Sequence, residues 1–168
     1  KIPYRETIRV TSSAQGKYKK QSGGRGQYGD VWVRIEPTAR DTGFVFASEV
    51  VGGVVPTRYL PAVEKGLHET IEKGILAGYP IVDLKAVAYD GSFHPVDSSE
   101  FAFKIAASMA FKNAFEKARP LLLEPIYSLT VYAPEQYTGE IVGDISSRRG
   151  KILGMDSDVR LQIIHALI

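Results

Sequence analysis

Residues 16–29, GKYKKQSGGRGQYG, combine charge and backbone freedom in a way no other stretch of the chain does. No acidic side chain stands between Glu6 and Asp30, whereas Arg9, Lys17, Lys19, Lys20 and Arg25 all fall there. Four of the last seven residues of the stretch are glycine, at positions 23, 24, 26 and 29. Backbone this poor in side chains can approach another surface closely, and the cations select an anionic one. The chemistry that fits is contact with RNA. Lys17, Lys19, Lys20 and Arg25 would meet phosphates, while the amide of Gln27 and the ring of Tyr28 could reach bases.

Two other readings of the same stretch stay open. Gly24, Gly26 and Gly29 satisfy G-x-G-x-x-G, and with Val31 they match the glycine loop of a kinase. A dinucleotide fingerprint must open a helix, however, and a strand pattern follows here. The lysine strand, H-R-D and D-F-G segments of a kinase do not occur, nor does a G-x-x-x-x-G-K-[ST] loop. The other reading is a bare solvated hairpin turn.

A second group lies in residues 90–99, DGSFHPVDSS, where His94 has Ser92, Asp97, Ser98 and Ser99 around it. Serine, histidine and aspartate this close in sequence do not make a catalytic triad, whose members converge from separate elements. The plain alternative is a histidine that hydrogen-bonds its own turn. His68 falls on the polar face of a helix pattern and His165 within a strand pattern; neither has a partner set that suggests function. Arg148 and Arg149 end a helix pattern, which suits nucleic-acid contact and also suits the negative end of a helix dipole.

The elements that must carry these residues can be read in order. Residues 4–11 alternate as a strand in which Glu6 interrupts the apolar side, so an edge position is expected. Val31, Val33 and Ile35 alternate with Trp32, Arg34 and Glu36, the clearest period of two in the chain. These two strands would flank the glycine tip as a long hairpin that carries it away from the body. A third strand spans residues 44–50. Leu60, Val63, Leu67, Ile71 and Ile75 then recur at helical spacing, with Pro61 acceptable only in the first turn and Gly78 and Pro80 as the stop. A strand is predicted over residues 81–89, followed by a helix over 98–118 that Asp97 caps and Glu100 completes as a capping box. Residues 121–125 read as an apolar connector. Beyond them come a strand at 126–133, a helix at 136–149 stopped by Gly150, and strands at 151–155 and 159–168. If residues 81–89 run parallel to the ascending arm of the hairpin, the histidine loop and the glycine tip share one end of the domain.

The expected fold class is therefore α+β. A split β-α-β domain, with a mixed sheet of about four strands and two helices, precedes a truncated ferredoxin-like β-α-β-β unit, with the boundary at 123/124. Composition agrees with a folded chain: 44% hydrophobic and 24% charged residues, with a formal charge of only +2. Any role with nucleic acid must come from where the charge sits. There is no cysteine, which excludes disulfides and thiolate metal sites. No apolar run approaches the ~20 residues of a membrane span. The expectation is a soluble, cytoplasmic monomer.

Several long segments carry a further signal: YRETIR, KQSGGRGQYG, VGGVVPTRYLPAVEKG, LAGYPIVDLKAVAYDGSFHPVDSSEFAFKIAASMAF, LLEPI and GDISSRRGKILGM. Through them the chain resembles the C-terminal portion of translation elongation factor G over nearly its whole length. The resemblance implies that residues 1–123 are the translocation domain, the fourth of that factor, and that 124–168 open its fifth. It implies RNA contacts by one tip loop through Lys19, Lys20, Ser22, Gly23, Gly24, Arg25, Gly26, Gln27 and Tyr28. A second tip loop would contribute Ser92, His94, Asp97 and Ser98, and Arg148 and Arg149 would face ribosomal RNA. The implied partners are the ribosome with its 16S and 23S RNA, transfer RNA and messenger RNA, without a membrane. No catalytic residue, metal or cofactor is implied for this piece; GTP and magnesium would belong to an upstream GTPase domain of the parent. A ribosome-protecting or ribosome-recycling GTPase of the same family is the alternative. Pro95 stands where the family commonly has an acidic residue, and Phe93 where tyrosine is usual. The run GKYKKQSGGRGQYGDVW is also similar to elongation-factor-G-like paralogues.

Overall fold

The computed structural model describes residues 1–168 in full, as two compact units, Lys1–Glu124 and Pro125–Ile168. The architecture is the expected α+β one: a four-stranded mixed sheet with two helices, then a small unit with a three-stranded sheet and one helix.

The first unit opens with β1 (Arg5–Thr7), all that forms of the strand expected over residues 4–11, and β2 (Ser12–Lys20), which takes the expected strand's place as the ascending arm of the hairpin. The division has a reason in Glu6, which is fully buried rather than at a free edge. Its Oε1 accepts the backbone N–H groups of Ile75 and Leu76 at 2.8 and 2.6 Å, and Oε2 accepts those of Ala77 and Tyr79, both at 2.9 Å. Burial pushes this carboxyl up, but the four backbone donors outweigh it and hold the group below its ordinary value of 4.5. β1 is thereby held apart from the main sheet as a ligand of the loop after the first helix.

β3 (Gln27–Pro37) pairs antiparallel with β2 over nine residue pairs from Ser12↔Ile35 to Lys20↔Gln27. After β4 (Phe44–Ser48), α1 (Leu60–Lys73) begins with Pro61 in its first turn and ends at Gly74, whose φ of 71° no other residue type adopts cheaply. The stop is thus one turn earlier than Gly78. β5 (Leu84–Ser92) lies between β3 and β4, antiparallel to the first and parallel to the second, giving the order β2-β3-β5-β4. β5 therefore runs parallel to β2, and both finish at the same end of the sheet.

α2 (Glu100–Lys117) follows, with Phe103, Phe111, Phe115 and a row of alanines buried against the sheet. Its cap is Ser99, whose Oγ accepts the Ala102 N–H at 3.1 Å; Asp97 is occupied elsewhere. The alanines let α2 settle directly onto the hairpin. A Cβ added at Gly16 would stand 1.9 Å from the Ala106 carbonyl oxygen, and one at Gly29 2.5 Å from that of Ala102. Two glycines of the basic stretch are thus contact points for a helix, and the hairpin lies along the body instead of standing away from it. Residues 121–125 do not form a mere connector: β6 (Leu121–Leu123) pairs antiparallel with β1.

In the second unit β7 (Ser128–Ala133), α3 (Thr138–Ser147), β8 (Lys151–Asp158) and β9 (Leu161–Leu167) give a sheet of order β7-β9-β8. Ile145 of α3 packs on Ile164 and Ala166, with Leu129, Val131, Ile141, Val142 and Ile152 around them. The helix stops at Arg148, and the residue that turns the chain is Arg149, with φ at 62°, not Gly150. Gly150 is small for another reason: a Cβ there would meet the Ile145 side chain at 2.6 Å. No helix of either unit is long and apolar enough to cross a membrane.

Candidate nucleic-acid interface

Strand pairing reduces the glycine tip to residues 21–26; Lys17, Lys19 and Lys20 belong to β2, and Gln27, Tyr28 and Gly29 to β3. Residues 21–25 are all exposed, Gly23 has φ at 52°, and nothing lies within 4 Å of the Cβ positions of Gly23 or Gly24. Lys17, Lys19 and Lys20 are likewise exposed, and none of them is paired with a carboxylate. That concentrates uncompensated positive charge at the end of the hairpin.

The histidine loop sits directly beside it. β5 runs on through Ser92, so the loop proper is residues 93–99. Asp97 sends Oδ1 across to accept the Gly26 N–H at 3.1 Å, while its backbone carbonyl accepts the Tyr28 N–H at 2.9 Å. Arg25 returns the clasp, with Nε donating to the Val96 carbonyl at 3.0 Å and Nη2 reaching that of Ser98 at 3.5 Å. The Gln27 amide oxygen lies 3.4 Å from the Ser99 hydroxyl. One end of the first unit thus presents both loops as a single surface.

His94 is exposed but ordered by its own turn. Its N–H donates to Ser98 Oγ at 2.9 Å, and its Nδ1 accepts the N–H groups of Val96 and Asp97 at 3.2 and 3.0 Å. An Nδ1 that accepts twice carries no proton, which puts the ring hydrogen on Nε2. The turn therefore presents Nε2–H as a donor. The reading of a histidine that hydrogen-bonds its own turn holds: Nδ1 organises the turn and leaves Nε2 outside it.

A polar chain the sequence did not reveal braces the pair from below. Tyr28 Oη and Ser92 Oγ are 2.7 Å apart, Ser92 Oγ donates to Asp30 Oδ2 at 2.6 Å, and Gln15 Nε2 donates to Asp30 Oδ1 at 2.7 Å. Asp30 is only 6% exposed. Position 30 reads as a routine outer residue of a strand, and only the β2–β3–β5 register brings its three partners together. Lys17 Nζ lies 5.6 Å from the centre of the Tyr28 ring, and that ring is 6.3 Å from His94. Arg148 and Arg149 stand apart from this surface in chain position, at the end of α3, where Arg148 pairs with Asp144 at 3.0 Å.

The chain thus combines a split β-α-β unit, with two clasped loops at one end of its sheet, and a small β-α-β-β unit. The family profile for elongation factor G, domain IV, matches residues 1–119, and that for the elongation factor G C-terminus matches 121–168. The chain belongs to the elongation factor G family. A crystal structure of a protein from Thermus thermophilus is similar over 100% of this chain, at 50% identity and a TM-score of 0.89. The chain spans 25% of the length of that protein.

Proposed function

We propose that this chain is the ribosome-facing tail of a translational GTPase, and that the clasped end of its first unit enters the decoding site of the small subunit during elongation. The observation that carries this reading is the clasp itself. Asp97 and Arg25 join a cation-rich, side-chain-poor tip to a histidine turn, making one surface suited to folded RNA.

On this reading the work is mechanical and electrostatic, with no covalent step in this chain. Lysine and arginine contacts hold transfer RNA and messenger RNA backbone, each worth on the order of 1 kcal/mol and weakened by salt. Gln27 and the Nε2–H of His94 supply hydrogen bonds at the paired codon, and the braced arm occupies the space that the transfer RNA vacates, blocking its return. GTP and magnesium act in a part of the parent outside this chain. Arg148 and Arg149 face large-subunit RNA. The parent works in the cytoplasm as a monomer.

The test uses the full-length parent. Gln27→Ala or His94→Ala is expected to slow movement of transfer RNA and messenger RNA on the ribosome while ribosome-stimulated GTP hydrolysis stays normal. A parallel fall in hydrolysis would remove the arm-tip assignment. A parent that releases or protects ribosomes yet fails to support polypeptide synthesis would point to the protecting or recycling members of the family instead.

A further inference from the structure

The two helices cover one face of the four-stranded sheet; the opposite face carries a strip that starts at Tyr28 and Lys19 of the tip and continues along the strands to residues the tip does not use. Strand register places them. Val31, Val33 and Ile35 are fully buried in the core, so Tyr28, Trp32, Arg34 and Glu36 of β3 point to the other side. Cross-strand partners share a face, which adds Lys19 opposite Tyr28, Lys17 opposite Asp30 and Gln15 opposite Trp32.

A bulge completes the strip. Trp32 pairs with Asp90 and Val33 with Ala88, which leaves Tyr89 as the extra residue on β5. The bulge re-aims its side chain toward the strip: the Tyr89 ring lies 6.4 Å from Trp32, tilted by 45°, and 5.8 Å from the Arg34 guanidinium. Arg34 is fixed by Glu49 at 3.0 Å and Glu36 at 3.1 Å, two carboxylates on one guanidinium, so that end offers no free cation. The unpaired cations, Lys17 and Lys19, lie between the aromatic pair and the tip. From Tyr28 to Trp32 is four strand residues, or ~13 Å.

We infer that this face is a binding track for single-stranded RNA, continuous with the tip, on which unpaired bases stack against Trp32 and Tyr89 while Lys17 and Lys19 hold the backbone. Two half-buried rings on the adjacent central strands of a sheet, flanked by cations, meet the requirements of a stacking platform: π-faces at a fixed spacing and positive charge along the strand's path. Exposed, unpaired Lys17 and Lys19 give the tip-side end of the strip its preference for a polyanion, Asp90 opposite Trp32 being the acidic residue at the ring end, and the two ring faces suit stacked bases. The track rests on the proposed RNA role of the tip, but it makes a claim of its own about a different face.

Trp32 is the only tryptophan of the chain, so its emission reports on this face alone. The experiment titrates the 168-residue chain with a fluorescein-labelled RNA dodecamer without secondary structure at low salt, following dye anisotropy and Trp32 emission together. The expected result is quenching of Trp32 with the same midpoint as the anisotropy rise, about tenfold weaker binding for Tyr89→Ala, and weaker binding of a duplex of equal length. Circular dichroism and the thermal midpoint establish that the variant is folded, and quenching in the unaltered chain needs no variant. An anisotropy rise with unchanged Trp32 emission would overturn the track while leaving RNA contact at the tip intact. No binding of either kind would overturn it as well. Quenching by an acidic peptide but not by RNA would assign the face to a protein and overturn it too.

Discussion

The carboxylate of Asp97 accepts the backbone N–H of Gly26 at 3.1 Å, joining two loops 71 residues apart in the chain. Loss of that acceptor should free the tip without loosening the helix that follows, because Ser99 and not Asp97 caps α2. Asp97→Ala is expected to speed amide hydrogen exchange at Gly26 and Tyr28 by about tenfold or more, in line with the ~1.5–3 kcal/mol of a charged acceptor. Ser99→Ala should instead cost ~1 kcal/mol and fray the first turn of α2. Hydrogen exchange by NMR on the two variants separates the roles.

The glycines of the basic stretch should divide into two groups under substitution. Gly16→Ala drives a methyl group into the Ala106 carbonyl and the Ala110 amide of α2, at 1.9 and 2.4 Å, where only backbone can give way. A loss of at least ~2–3 kcal/mol is expected. Gly24→Ala has open space and no left-handed backbone to strain, so its stability should stay within ~0.5 kcal/mol of the parent chain. Gly23→Ala meets nothing but must hold φ at 52°, costing ~1 kcal/mol. Urea denaturation of the three variants gives the order.

These same residues mark how far the sequence could be read. Alternation of Val31, Val33 and Ile35 and the helical spacing of Leu60, Val63 and Leu67 report which faces are apolar; all are fully buried except Leu60, at the helix start, which is half-buried against the same core. Joint placement of the two loops could be read only on the condition that the strand before the histidine loop runs parallel to the ascending arm, a condition β5 and β2 meet. What eluded reading was polar and long-range. A glutamate that breaks an apolar pattern is the mark of an edge unless four backbone donors, here from residues 75–79, converge on it, and nothing local announces that they will. Asp97 looks like a helix cap because the residues beside it fit a capping box; its carboxylate is drawn away by the Gly26 amide of the other loop. Gly16 and Gly29 resemble the tip glycines in composition, yet their smallness serves the approach of α2.

Acid should find Glu6. Its folded-state carboxyl lies below 4.5, so the stabilisation it contributes is fully present above that value and is lost as pH falls through the lower, folded value. Glu6→Gln keeps the shape but replaces one of the two accepting oxygens with an NH2 that faces donors, leaving part of the loop at 75–79 unsatisfied. A loss of at least ~2 kcal/mol near neutral pH is expected. Stability of the unaltered chain should decline on acidification below about pH 4.5 more steeply than that of the variant. Urea midpoints measured from neutral pH down to about pH 3 make the comparison; parallel declines would mean that another carboxyl governs the acid limb.

The bracing chain under the tip makes a graded prediction. Asp30 is the acceptor for both Ser92 and Gln15, so Asp30→Ala strands two donors beneath the surface and should cost ~2–4 kcal/mol. Tyr28→Phe removes only the hydroxyl that meets Ser92 and should cost ~1 kcal/mol, while the ring keeps its place near Lys17 and His94. If the brace positions the loops, the two variants should also differ in geometry. Asp30→Ala should shift the amide resonances of Gly26 and His94 together, because β3 and β5 lose their polar link at Asp30↔Ser92, whereas Tyr28→Phe should leave His94 nearly unmoved. Stability curves combined with NMR shifts at those two amides decide the matter. Unmoved Gly26 and His94 amides in both variants would mean that the Asp97 clasp holds the two loops together without the brace.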